Sequence, residues 1–166
     1  MCMKNVNAIC KLYSEKIEEN GIVDFKNPFN KIIIQNGDFN SINKFYAVSD
    51  FFIMGTERNE FNFINNKTDL KVLIRITKMS SDKNKQESYI FDSYNININD
   101  TTIQNDACAP FISFTITSEI DLKKAFNIIK YGEYVVKILL QNIDAPTEEK
   151  DKWELQSFAR FSITDN

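Results

Sequence analysis

The run Lys130-Tyr131-Gly132-Glu133-Tyr134-Val135-Val136-Lys137-Ile138-Leu139-Leu140 decides how this chain folds. A glycine, one spacer and a tyrosine stand at the head of an apolar run. Glycine reaches backbone angles closed to other residues, so the chain can turn sharply at Gly132. A tyrosine two positions later can then bond its phenol back to upstream main chain. The stretch predicts a corner followed by a strand from Glu133 to Gln141. It concerns architecture, and no catalytic or cofactor motif elsewhere in the chain is equally clear.

Working outward, Ser118-Glu119-Ile120-Asp121 reads as a helix start, with Leu122, Phe126 and Ile129 at helical intervals, so a short crossing helix is expected before the corner. Ahead of it, Phe111 to Thr117 alternates with Ile112, Phe114 and Ile116 inward, after a proline that suits a strand start. The clearest two-residue period sets Leu70, Val72, Ile74 and Ile76 against Lys71, Arg75 and Thr77. Beyond a polar loop the period resumes from Ser88 to Asn99. Past the corner, Trp153, Leu155, Ser157, Ala159, Phe161 and Ile163 line one face of a last strand. Nearer the N-terminus, Lys31 to Gln35 reads as a strand ending at the turn dipeptide Asn36-Gly37, and Lys44 to Met54 as another that returns through Glu60 to Ile64. From Lys4 to Asn20, Val6, Ile9, Cys10, Tyr13 and Ile17 recur every three or four residues, which predicts an amphipathic helix capped by Asn20-Gly21. No repeat or Gly/Ser linker divides the chain. Residues 1–166 are read as one domain, with a helix over 1–21 on or beside a β-sandwich over 30–166.

These are seven or eight short strands without a βαβ rhythm, which points to a mainly β antiparallel sandwich with two facing sheets. The corner Tyr131-Gly132-Glu133-Tyr134, preceded by a helical turn and followed by a terminal hairpin, resembles the penultimate-strand corner of immunoglobulin-like domains. On that resemblance Tyr134 is the corner tyrosine. Val136 stands where antibody-type domains place a disulfide cysteine, and Trp153 sits in the last strand rather than a central one. The resemblance implies a fold and no activity.

Composition narrows the chemistry. The 166 residues carry 20 Lys+Arg against 23 Asp+Glu, a net charge of -3, so no global field gathers nucleic acid or an anionic membrane. Lys78, Lys83 and Lys85 are interrupted by Asp82 and Glu87 and read as a solvated loop. Cys2, Cys10 and Cys108 share no metal-type spacing and suit free thiols in a reducing cytoplasm. The opening residues have no apolar signal region, and no segment nears the ~18 apolar residues that span a bilayer. The bias toward Asn, Ile and Lys accords with AT-rich coding of bacterial or phage type. Histidine is absent, which removes Ser-His-Asp, Cys-His and HExxH chemistry. No phosphate-cradling glycine motif occurs, and no cofactor is expected. Cys108 has no adjacent cation to activate it as a nucleophile. The acids Asp144, Glu148, Glu149, Asp151 and Glu154 are interleaved with Lys150 and Lys152, a solvated pattern. Asp50, Glu57 and Glu60 flank a hairpin and would be the cation ligands of an alternative, divalent-metal-dependent module or enzyme, although they lack an ordered loop motif.

What remains is recognition through a surface, by a protein partner or by self-association, without catalysis. On the last strand the face opposite Trp153 carries Gln156, Phe158 and Arg160. A Phe beside an Arg on a polar face is the composition of an interface anchor. The competing expectation is that the N-terminal helix lies over Phe158.

Overall fold

The computed structural model describes residues 6–54, 69–82, 85–97, 103–105, 110–125, 127–142 and 155–165. Ten strands run in chain order: β1 (Val6–Glu19), β2 (Ile22–Pro28), β3 (Lys31–Ile34), β4 (Phe45–Met54), β5 (Asp69–Lys78), β6 (Glu87–Asn97), β7 (Ile103–Asn105), β8 (Pro110–Ile120), β9 (Gly132–Asn142) and β10 (Leu155–Asp165). They form two five-stranded sheets, one in the order β2-β1-β4-β8-β7 and the other β3-β10-β9-β5-β6. Every pairing is antiparallel except β3 with β10, where Ile32 runs parallel beside Ile163.

The alternation read from the sequence is the inward face. Val72, Ile74 and Ile76 on β5, Val136 and Ile138 on β9, and Phe161 and Ile163 on β10 are all buried. They meet Leu12, Ala47, Phe51 and Ile116 from the other sheet in one apolar cluster. Phe45 and Phe161 join the two sheets edge to face, their ring centres 5.5 Å apart. Each such fully buried side chain contributes roughly 1.5–3 kcal/mol of burial, so the shared interior is what holds the layers together.

The corner is built as the sequence predicts. Gly132 has φ +141°, a conformation L side chains rarely adopt. The Tyr134 ring is fully buried and stacks on Phe161 at 5.3 Å. Its hydroxyl donates toward the carbonyls of Lys130 (2.6 Å) and Ile128 (3.0 Å) and accepts from the Lys130 N–H at 2.8 Å. The phenol thus satisfies main-chain groups that no ladder can reach, and burial pushes its pKa above the ordinary value.

Three expectations are corrected. The N-terminal segment is strand β1, not a helix. Ala8, Cys10 and Leu12 turn inward at a two-residue spacing while Ile9 between them is exposed, and β4 supplies the partner that a helix would not need. The Asn20-Gly21 pair has φ +53° and +77°, the two left-handed residues of a type I′ hairpin turn rather than a helix cap. The crossing helix shrinks to one 3-10 turn, Leu122–Ala125, because Ser118 and Ile120 continue the inward series of β8. The described strands number ten rather than seven or eight, because β1, β2 and the short β7 add to the expected set. Residues Glu60 to Ile64 and Trp153 lie outside the described residues. Among the described residues no helix is long and apolar enough to cross a membrane.

Candidate functional site

Because Ser157, Ala159, Phe161 and Ile163 turn into the sandwich, Phe158 and Arg160 must turn out from β10. Phe158 is 57% exposed, too much for a residue under cover. The competing expectation of a helix lying on it fails, because the segment is β1 and belongs to the opposite sheet. Gln156 lies two positions earlier on the same strand, paired with Leu139.

Cross-strand register shows what stands beside these residues. Phe158 is opposite Lys137 on β9, Lys137 is opposite Arg75 on β5, and Arg75 is opposite Ile90 on β6. Tyr134, Val136, Ile138, Ile74 and Ile76 fill the core, so Lys137 and Arg75 share the outward face with Phe158. Ile90 is 53% exposed, while its neighbour Tyr89 packs on the core. One row across four strands therefore reads apolar, cation, cation, apolar. The next row runs Arg160, Val135, Thr77, Ser88, with the Thr77 and Ser88 hydroxyls 3.0 Å apart. Val135, Leu139 and Leu73 are outward yet nearly inaccessible, and they form an apolar floor between the charged side chains. Reading the sequence singled out Phe158, Arg160 and Gln156 but missed Lys137, Arg75 and Ile90. Each is visible singly as an outward position, but only the strand pairing puts them in line.

Among the described residues the charges in this row are not neutralised by their neighbours. Like charges directly opposite on adjacent strands destabilise a sheet. Among the described residues neither Lys137 nor Arg75 has an acid within ion-pair distance, whereas Lys44 meets Glu119 at 2.7 Å and Lys16 meets Glu18 at 3.3 Å elsewhere. The Arg75 Nε is buried and has no acceptor among the described residues. A half-buried guanidinium with an unused donor, next to an ammonium, is an incomplete electrostatic arrangement.

The other candidates offer less. Asp50 accepts from the Thr115 hydroxyl at 2.6 Å, and its proposed partners Glu57 and Glu60 lie outside the described residues, as do Asp144 to Glu154 and Cys108. Among the described residues no group of three or more Cys, Asp or Glu is placed to share a cation. Burial pushes the Cys10 thiol up to about 12, with Ser157 and Ser49 beside it easing the rise. Among the described residues neither serine hydroxyl reaches hydrogen-bond geometry with a partner, so those contacts to sulfur are weak. A thiol held protonated in the interior is no nucleophile at neutral pH. A cleft of about 290 Å³ opens along β3, lined by Phe29, Ile32, Ile34, Ile42 and Phe45 among others, and its Lys44 is already committed to Glu119.

No family model matches this sequence, and no curated protein matches it either.

Proposed function

We propose that this chain is an immunoglobulin-like domain, of cytoplasmic bacterial or phage type, that acts without catalysis by binding a protein on the outward face of β10, β9 and β5. The observation that carries the reading is Phe158, more than half exposed beside Arg160 on a face whose cations lack described acidic partners. An aromatic ring next to a guanidinium is the combination most enriched where binding energy concentrates.

The immunoglobulin-like part rests on topology. The order β1-β4-β8-β7 corresponds to the A-B-E-D sheet of that fold and β10-β9-β5 to its G-F-C sheet, with Tyr134 at the start of the F-like strand. The hydroxyl of that tyrosine bonds back to Ile128 and Lys130, as a tyrosine corner does. Strand β2, added outside β1, departs from the pattern.

Self-association is the second reading, favoured by one feature. Strand β2 is a sheet edge whose Ile22 and Val23 are 71% and 44% exposed, and an uncovered apolar edge is a template for strand addition.

The test is Phe158→Glu. Its unfolding free energy should stay within ~0.5 kcal/mol of wild type, as for an exposed residue. Partners copurifying from the native host with wild type should be lost. Retention of every partner by the folded variant would refute the binding face, and dimers by light scattering that Val23→Lys dissolves would move the assignment to β2.

A further inference from the structure

We infer that the occupant of this face is an extended acidic peptide segment of the pattern apolar-x-acid-x-apolar, lying across the strands with its carboxylate between Lys137 and Arg75. The inference rests on the binding-face reading above and adds the chemistry of the partner.

Its basis is the spacing of the row. Neighbouring strands lie about 4.8 Å apart, so Lys137, Arg75 and Ile90 stand about 5, 10 and 14 Å from Phe158 across the sheet. An extended peptide advances about 3.4 Å per residue and points alternate side chains to one side, which puts same-side groups about 7 Å apart. A first side chain over Phe158 therefore brings the third midway between Lys137 and Arg75 and the fifth over Ile90. The apolar ends meet exposed apolar surface, 57% at Phe158 and 53% at Ile90. The middle position meets two positive charges.

Only an anion suits that middle position. A carboxylate there meets the charge of the Arg75 guanidinium and of the Lys137 ammonium, and it removes the repulsion between two cations set opposite each other. Charge-assisted bonds of this kind, made beside an apolar floor of Leu73, Val135 and Leu139, are stronger than the same bonds in open water. Arg160, one row along, is placed to take a further acid flanking the motif. Nucleic acid fits less well, because only a short run of cations is available on a chain of net charge -3.

The test pans the immobilised full chain against a random heptapeptide library and measures the enriched peptides by fluorescence anisotropy at low and physiological salt. The expected result is enrichment of the apolar-x-acid-x-apolar pattern. Affinity should fall at least 10-fold when the peptide acid becomes Gln or when Lys137 becomes Glu, and a peptide with Lys at the centre should bind the Lys137→Glu/Arg75→Glu variant instead. Thermal melts verify that each variant is folded, and Phe158→Ala and Lys137→Gln serve where the charged changes unfold the chain. Peptides that need Phe158 but ignore Lys137 and Arg75 would overturn the acidic motif and leave the binding face standing. Peptides indifferent to Phe158 would overturn both. An empty selection, or tighter binding of a single-stranded oligonucleotide than of any peptide, would overturn the inference.

Discussion

Replacing Tyr134 by Phe removes one oxygen and leaves the ring, so it isolates what the corner contributes. The lost atom accepts from the Lys130 N–H at 2.8 Å and donates toward two carbonyls, Lys130 at 2.6 Å and Ile128 at 3.0 Å. A hydroxyl has one proton, so the two carbonyl contacts amount to about one shared bond. One donated and one accepted bond at about 1 kcal/mol each, with some further cost for leaving partly buried partners unmade, give about 2–3 kcal/mol. The stacking on Phe161 survives, and no cavity term enters. For a domain of this size 1 kcal/mol corresponds to about 2–4 °C in Tm, so the variant should melt about 4–12 °C lower. Urea unfolding followed by far-UV circular dichroism measures the change, and an unaltered denaturant slope would show that only native-state stability moved. A loss below ~0.5 kcal/mol would mean that water replaces the phenol at no cost, and the view of the corner as a structural tie would have to be abandoned.

Gly132→Ala places a side chain at φ +141° but meets only the flexible Lys78 Cε at 3.5 Å, so the cost is backbone strain of about 1–3 kcal/mol rather than a clash; an unaffected Tm would contradict it. Ser157→Ala removes a hydroxyl that is 1% exposed and unpaired, so stability should hold or rise by up to ~1 kcal/mol, and a loss above that would reveal a water bridging it to Ser49. For Cys10 the folded thiol's pKa is raised to about 12 from 9.0, so both states are protonated below about pH 9. Above it the unfolded chain releases a proton that the folded chain keeps, and stability falls by up to ~1.4 kcal/mol per pH unit until the folded thiol titrates. Cys10→Ala should therefore show a shallower decline between pH 8.5 and 10 than wild type in urea titrations, and parallel declines would place the thiol in water.

How far the sequence could be read depended on which question each period answers. A two-residue alternation states which side of a strand is wet. On β5 and β9 the described inward positions are an apolar series, and on β10 only Ser157 breaks it, so Val72, Ile74 and Ile76, and Phe161 and Ile163, are assignable to an interior from the alternation alone. In β1 the exposed Ile9 stands between inward Ala8 and Cys10, and with Tyr13 and Ile17 it mimics a helical stripe; only pairing with β4 on one edge and β2 on the other breaks the tie. Asn20-Gly21 is equally at home in a helix cap and a type I′ turn, so local chemistry could not decide either.

The candidate site lies one level further from the sequence. Phe158 and Arg160 sit on one strand and declare themselves by composition, but Lys137 and Arg75 come from strands far apart in the chain and become neighbours only through the β5–β9 register. A slip of one residue there would turn Arg75 into the core, which its charge forbids, while a slip of two would keep every apolar side chain inside and still part the two cations. Hydrophobic burial thus fixes the facing of each strand but leaves the alignment of charges across the sheet free to vary. That the observed alignment brings two cations together, at a cost the sandwich does not need to bear, is the physical reason to look for an anionic partner here rather than at the edges.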